Sequence, residues 1–177
     1  MGVSRTAPPR KRPHLDTNVL LMALGIEEDV ELRESARKGY VVGDPRPRSY
    51  VSGPVAGELL LVLLKTYPER LDDATRSLAR FVNVDGYIEL GAHGRVVEGA
   101  FEVAVVLMKG DKRLGPTDAL VASCSLVDPA SNGLVTADPD LLLSDVVVRE
   151  FDARKRRLIE FEVSPRSAPQ RKKRRRQ

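Results

Sequence analysis

Several residue types are scarce in this chain of 177 residues, and each scarcity excludes a class of protein. The single cysteine, Cys124, rules out an internal disulfide and fits a reducing compartment, so we expect a cytoplasmic protein. Tryptophan is absent and aromatic residues make up 5%, which argues against a surface on which nucleic-acid bases stack. No apolar run reaches the roughly 18 residues that a membrane span needs. We therefore expect no membrane partner.

Charge is divided unevenly between the ends and the body of the chain. Residues 1–13 hold four Lys or Arg and no acid, residues 166–177 hold seven and no acid, and the segment between them has a net charge of −7. Blocks of like charge repel one another, stay disordered and often bind nucleic acid. We predict a basic flexible arm over 1–13, one domain over 14–164 and a basic disordered tail over 165–177. A solubilising tail or a nuclear-type address is an equal alternative for the tail.

Hydrophobic periodicity predicts strands that alternate with helices. A short buried strand running into a helix is predicted over 15–24. Further helices are predicted over 27–38, 55–67, 69–82, 93–108, 117–127 and 139–143. Further strands are predicted over 40–42, 49–52, 87–90, 133–136, 146–151 and 158–163, and a polar loop over 109–116. This alternation indicates a parallel sheet covered by helices on both faces, with ligands at the carboxyl ends of the strands.

Three aspartates occupy the positions where strands end or helices begin. Asp16 and Asp138 each follow a buried strand, and Asp118 opens an apolar helix. Each could simply cap a helix or complement the positive end of the helix dipole. For any one of them alone, capping is the favoured interpretation.

Glu58 differs from these aspartates because it is the only charge within a helix of apolar residues, where it cannot be a cap. A buried carboxylate without a partner costs several kcal/mol. Two kinds of partner are equally plausible. One is a hard divalent cation, which takes oxygen ligands, and the other is an arginine such as Arg48 or Arg95.

Four segments resemble the motifs of PIN-domain ribonucleases. They are LDTNVLL (15–21), SYVS with GPVAGELL (49–60), RLGPTDALVA (113–122) and LVTADPDLL (134–142), and they occur in the family's order. The resemblance covers about residues 14–150. It implies a three-layer α/β/α sandwich with a central, mainly parallel sheet.

The same resemblance implies a metal-dependent endoribonuclease. Mg²⁺ or Mn²⁺ would be held by Asp16, Glu58, Asp118 and Asp138, and the enzyme would hydrolyse phosphodiester bonds of single-stranded or exposed RNA. Asn18, Thr136 and Asp140 would support these carboxylates or act as occasional ligands. Many members are VapC-like toxins, which form homodimers and are held inactive by an antitoxin protein. An RNA-processing enzyme would fit the basic tail equally well.

RNA also needs positive charge near the carboxylates, because the acids alone would repel it. Lys109, Lys112 and Arg113 precede Asp118 in the predicted polar loop, and we expect them to contact phosphates. A solvated loop is the alternative. An acid-nucleophile phosphatase would need a second Asp where Asn18 stands. A receiver-like signalling domain would need a lysine after the late strand, so the main rival is a non-catalytic nucleic-acid-binding protein with a degenerate acidic site.

Overall fold

The structure is a computed structural model that describes residues 11–26, 29–41, 49–80, 88–91 and 94–161. The predicted tail lies outside the described residues, as do residues 1–10 of the predicted arm. The first strand, β1 (Arg12–Leu15), begins inside the segment assigned to the arm. Arg12 and Pro13 therefore belong to the sheet rather than to an arm, because they pair with the neighbouring strand.

Five parallel strands form a single sheet in the order β3-β2-β1-β4-β5. The others are β2 (Ser49–Ser52), β3 (Ile88–Gly91), β4 (Ser131–Thr136) and β5 (Arg157–Glu160). The order changes direction between β1 and β4, and open α/β sheets bind ligands at such a switch point. The predicted three-layer α/β/α sandwich with a parallel central sheet is confirmed.

Helices connect the strands and pack on the sheet. They are α1 (Thr17–Leu24), α2 (Val30–Ala36), α3 (Gly53–Thr66), α4 (Leu71–Ala79), α5 (Gly94–Gly110), α6 (Pro116–Val127), α7 (Pro139–Leu142) and α8 (Asp145–Ala153). Helix α1 contacts α2, α3 and α4, whereas α6 contacts α5, α8 and also α3. None of the described helices is long and apolar enough to cross a membrane.

The central strands are largely buried because protein covers them on both faces. Leu15, Val51 and Leu134 have no exposed surface, and they form the middle of the core. His14 is also buried, and its Nε2 lies 2.8 Å from Oδ2 of Asp128. This pair ties β1 to the connection between α6 and β4 at the edge of the sheet where the strands begin.

The strand predicted over 146–151 is wrong, because these residues lie in α8. Three successive valines favoured a strand, since β-branched residues are enriched there. The helix is stabilised instead by an N-terminal cap, in which Val147 N donates to the Ser144 side chain. Its buried residues Val147 and Phe151 are four apart, which is the helical period.

Two further predictions also differ in part from the structure. The strand predicted over 40–42 is wrong at Tyr40 and Val41, which lie in a π-helical turn over Arg37–Val41 that continues α2 past Gly39. The polar loop predicted from Lys109 begins only at Asp111, because α5 extends to Gly110.

Candidate functional site

Asp16 lies at the carboxyl ends of β1 and β4, beside the switch point of the sheet. Its backbone N donates to Val135 O over 3.0 Å, which continues the pairing of the two strands. The Thr136 hydroxyl at the end of β4 donates to Asp16 Oδ2 over 2.5 Å. Asp16 Oδ1 accepts from Thr17 N over 2.7 Å and caps α1. Both carboxylate oxygens therefore have fixed partners.

Asp16 is only 6% exposed, and this burial dominates its protonation. The pKa of Asp16 is raised to about 6, mainly by burial and also by the nearby carboxylates Glu58 and Asp138. The hydrogen bonds from Thr136 and Thr17 oppose the shift. The ionised form of Asp16 is therefore costly to keep in the folded chain.

Glu58 belongs to a different element, α3, and lies near enough to Asp16 to raise its pKa. The Thr17 hydroxyl at the start of α1 donates to Glu58 Oε2 over 2.5 Å. The sequence did not single out Thr17 as a functional residue. Its signal was its place directly after Asp16 in LDTNVLL, where a hydroxyl is within reach of any group that approaches Asp16.

Asp118 is the third residue of α6, and its carboxylate folds back over the start of the helix. It lies so close to Gly115 that a Cβ at position 115 would come within 2.8 Å of Asp118 Oδ2. A side chain at position 115 would therefore displace the Asp118 carboxylate. Burial raises the pKa of Asp118, with further contributions from Asp138, Glu58 and Asp140.

Asp138 follows β4 and caps the short helix α7, with Asp140 N donating to its Oδ1 over 2.9 Å. Its own backbone N donates to the Thr136 hydroxyl over 2.9 Å. Asn18 Oδ1 accepts from Ala137 N over 3.3 Å. Asn18, Thr136 and Asp140 are the three residues predicted to support the carboxylates. Thr136 contacts both Asp16 and Asp138, Asp140 contacts Asp138, and Asn18 contacts Ala137 beside Asp138.

The four predicted acids are near enough to act on one another electrostatically. Asp16 is affected by Glu58 and Asp138, and Asp118 is affected by the same two residues. No ion pair between described residues involves any of the four. Arg48 and Arg95 are the two arginines suggested as partners of Glu58. Arg48 and the side chain of Arg95 both lie outside the described residues.

The capping interpretation is confirmed for Asp16 and Asp138, and both acids still face the shared cluster. The cap of Asp138 uses only its Oδ1. Both oxygens of Asp16 already accept a hydrogen bond, and each keeps a second lone pair for a further ligand. Within the described ranges, no three His, Cys, Asp or Glu side chains are grouped closely enough to hold a metal ion between them. One ion would therefore contact one or two of these carboxylates directly.

The three predicted phosphate contacts occupy different settings. Lys109 lies in the last turn of α5 and Lys112 in the following turn, and both are exposed. Arg113 is exposed as well, but its guanidinium pairs with Asp111, with 2.9 Å between Nη2 and Oδ2. Arg113 also acts electrostatically on Asp140, which places it beside the acids.

A cleft of about 390 Å³ borders the acids and has Glu58 in its wall. The rest of its lining is mostly apolar and comes from α3, α5 and α6. Several large apolar side chains beside it are about half exposed, namely Leu60, Leu61, Leu64, Phe101, Val105 and Val106. A larger cavity of about 610 Å³ between α7, α8 and β5 contains none of the four acids, so chemistry rather than size identifies the site.

Neither a family model nor a curated protein matches this chain. Its function has to be argued from the residues gathered at this edge of the sheet.

Proposed function

We propose that this chain is a divalent-metal-dependent endoribonuclease of the PIN type. The observation that carries the proposal is the meeting of Asp16, Glu58, Asp118 and Asp138 at the switch point of a parallel sheet, with no cation paired to them among the described residues. Carboxylates that come from four separate segments and lie near one another are costly to fold, and Glu58 and Asp138 contribute to the raised pKa of both Asp16 and Asp118. A cation is the ligand that removes this cost.

The donor set fits Mg²⁺ or Mn²⁺ better than a softer metal. All the donors are oxygen atoms, and Mg²⁺ commonly binds one or two carboxylates while it keeps several waters. This mode of binding agrees with carboxylates that are too widely spaced for three of them to hold one ion. Asp16 is the best candidate for direct contact because it is the most buried of the four acids.

The residues of the chain position the reaction. A bound divalent ion supplies charge neutralisation at the phosphate and a more acidic water. Hydrogen bonds from Thr136 and from the backbone at the start of α1 position Asp16. A hydrogen bond from the Thr17 hydroxyl positions Glu58. Lys109, Lys112 and Arg113 supply the positive charge that RNA needs beside an acidic cluster.

Cleavage of a fluorescent single-stranded RNA tests the proposal, measured with Mn²⁺ and with EDTA. Asp16→Asn and Asp118→Asn should each lower the rate by more than about 100-fold, since even residues that only support metal ligands contribute 10–100-fold. Asp29→Asn is the matched control, because Asp29 caps α2 as Asp16 caps α1 but is not among the groups that act on the acids. Its rate should match that of the wild type.

The rival is a nucleic-acid-binding protein in which the acids only cap helices. The caps formed by Asp16 and Asp138 favour it, and the same experiment separates the two functions. Binding of RNA without metal-dependent cleavage in any variant would establish the rival and refute the nuclease.

The biological role follows from the same resemblance. A VapC-like toxin would be a cytoplasmic homodimer controlled by an antitoxin protein, and an RNA-processing enzyme would need neither partner. The half-exposed apolar side chains on α3 and α5 are the surface that a homodimer would cover.

A further inference from the structure

Arg113 is an exposed arginine whose orientation is fixed. Its Nε donates to Asp111 Oδ1 over 3.1 Å and its Nη2 donates to Oδ2 over 2.9 Å. Arg113 N also donates to Oδ1 over 3.0 Å. This bidentate pair uses two of the five guanidinium N–H donors. The other three remain for a ligand, and the Arg113 side chain is 66% exposed.

The carboxylate that holds this arginine is itself anchored. The Asp111 side chain is only 11% exposed. Hydrogen bonds from Arg113 hold the pKa of Asp111 well below its usual range, and the nearby Ser144 side chain lowers it further. Ser144 is fully buried and caps α8. Asp111 therefore lies beside the start of α8 while it pairs with the guanidinium.

Other ion pairs of the described residues lack this asymmetry. Arg76–Asp73 and Lys38–Glu34 join residues on one helix, and both partners in each are more than half exposed. Exposed pairs contribute roughly 0–1 kcal/mol to stability. Stability alone is a weak reason to hold an exposed arginine on a nearly buried aspartate.

The position of Arg113 indicates what it is held for. It lies five residues before Asp118 and acts electrostatically on Asp140 and Asp145. Asp140 in turn acts on Asp118. Arg113 therefore lies at the margin of the acidic cluster, where the backbone of a bound RNA strand would pass.

We propose that Arg113 binds a backbone phosphate of single-stranded RNA beside the carboxylates, and that Asp111 is a positioning residue that aims its guanidinium. This inference rests on the proposed function and deepens it. A planar guanidinium offers a phosphate two parallel donors, which a lysine cannot do. Lys109 and Lys112 would add charge without this orientation.

Whether Asp111→Asn strengthens or weakens RNA binding tests the inference. Binding of a labelled single-stranded RNA is measured in full-length Asp16→Asn, with EDTA present, so that cleavage does not interfere. Asp111→Asn removes a negative charge, and a purely electrostatic role predicts tighter binding. The positioning role predicts weaker binding, because the amide loses the charged bidentate hold on Arg113.

Arg113→Ala should weaken binding about five-fold near 0.1 M salt and lower the slope of log affinity against log salt by about 0.7, the contribution of one phosphate on a single strand. Arg113→Lys should retain the slope but lose affinity. The matched control is Arg154→Ala, since Arg154 pairs with Glu150 near the start of β5, at the opposite edge of the sheet.

Each outcome is decisive. Unchanged binding in Arg113→Ala overturns the inference, and tighter binding in Asp111→Asn overturns the positioning role. Absence of RNA binding by Asp16→Asn, both in EDTA and with Mn²⁺ present to neutralise the remaining carboxylates, refutes the RNA ligand. If RNA binds but the wild type does not cleave it with Mn²⁺, the nuclease fails while the effects at Arg113 and Asp111 still decide this inference.

Discussion

At the scale of single residues, Asp16 shows the conflict between folding and function most clearly. Burial raises its pKa to about 6, so the folded state keeps a proton that the unfolded chain releases near pH 4. Protonation of Asp16 therefore adds stability as the pH falls from about 6 towards 4, and this contribution is absent at neutral pH. Ionised Asp16 makes the metal-free protein less stable, as is common for functional residues.

Replacing Asp16 with Asn should stabilise the metal-free protein at pH 7 by about 1 to 3 kcal/mol, which is the free energy equivalent of its pKa shift. Asn keeps the cap of α1, since it is as good a capping residue as Asp. The measurement is urea unfolding in EDTA, followed by far-UV circular dichroism because the chain has no Trp. The gain should shrink towards pH 4, whereas Asp29→Asn should show no such trend. An Asp16→Asn protein less stable than the wild type at pH 7 would contradict the argument.

Thr17 shows what sequence patterns miss at this scale. The four acids could be predicted because a charge stands out among apolar neighbours, but a threonine at a helix start has no such contrast. Only the folded chain reveals that its hydroxyl spans from α1 to Glu58 on α3. The partner lies 41 residues away, and no local pattern encodes that distance.

Thr17→Val should lower metal-dependent cleavage by about 10- to 100-fold, the usual cost of losing a group that supports a metal ligand. The substitution keeps the shape of the side chain and removes only the hydroxyl, so Glu58 loses its donor. Cleavage rates measured over a series of Mn²⁺ concentrations should show weaker apparent metal binding. Thr17→Ser retains the hydroxyl and should keep most of the activity. Equal rates for the valine and serine variants would contradict a role for the hydroxyl.

At the scale of elements, buried strands were more predictable than the helix near the end of the chain. β2 has the predicted bounds, and β4 begins two residues before the predicted strand and ends where it was predicted to end. Helix α8 defeated the prediction because its valines favour a strand, while its cap and its two buried residues four positions apart favour a helix. Packing on the sheet decided between the two, and that information is not local.

The pairing of β4 with β5 depends on a close approach at Gly133. A Cβ at this position would lie 1.9 Å from Arg157 O in the neighbouring strand. Gly133→Ala should therefore lower the unfolding free energy by about 1 to 3 kcal/mol, as overpacking does elsewhere. Gly57→Ala is the matched control, since a Cβ there meets no atom within 4 Å. It should leave stability unchanged or raise it by about 0.5–1 kcal/mol, because Ala favours a helix. Urea unfolding of both variants tests the contrast, and equal stabilities would contradict it.

At the scale of the whole molecule, the alternation of strands and helices was enough to predict a common edge for the acids. Parallel strands all end on one side of a sheet, so Asp16 and Asp138 had to lie on the same side once both strands were predicted. The order of the strands was not predictable in this way. β4 lies beside β1 although more than 100 residues separate them, and this neighbourhood brings Thr136 to Asp16.

The position of Phe161, the last described residue, limits how far from the acids the basic tail can begin. Phe161 N donates to Thr136 O over 2.8 Å, so the chain leaves β5 at the edge that carries Asp16. Arg166, the first of the seven basic residues of the tail, comes five positions after Phe161. A segment of five residues spans at most about 17 Å. The tail therefore begins within reach of an RNA strand that lies across the carboxylates.

Deletion of residues 166–177 should weaken RNA binding and flatten its dependence on salt, because each lost phosphate contact removes about 0.7 from the slope of log affinity against log salt on a single strand. Binding is measured in full-length and truncated Asp16→Asn at several salt concentrations in EDTA. A variant in which Gln replaces every Lys and Arg of the tail keeps the length and should behave like the deletion. Deletion of residues 1–10 is the control for position. It removes basic residues that precede β1, at the edge of the sheet opposite the acids, and should change the salt slope less than deletion of the tail does. A tail deletion that leaves the slope unchanged would assign the tail to solubility, because a charged segment in contact with RNA must release counterions.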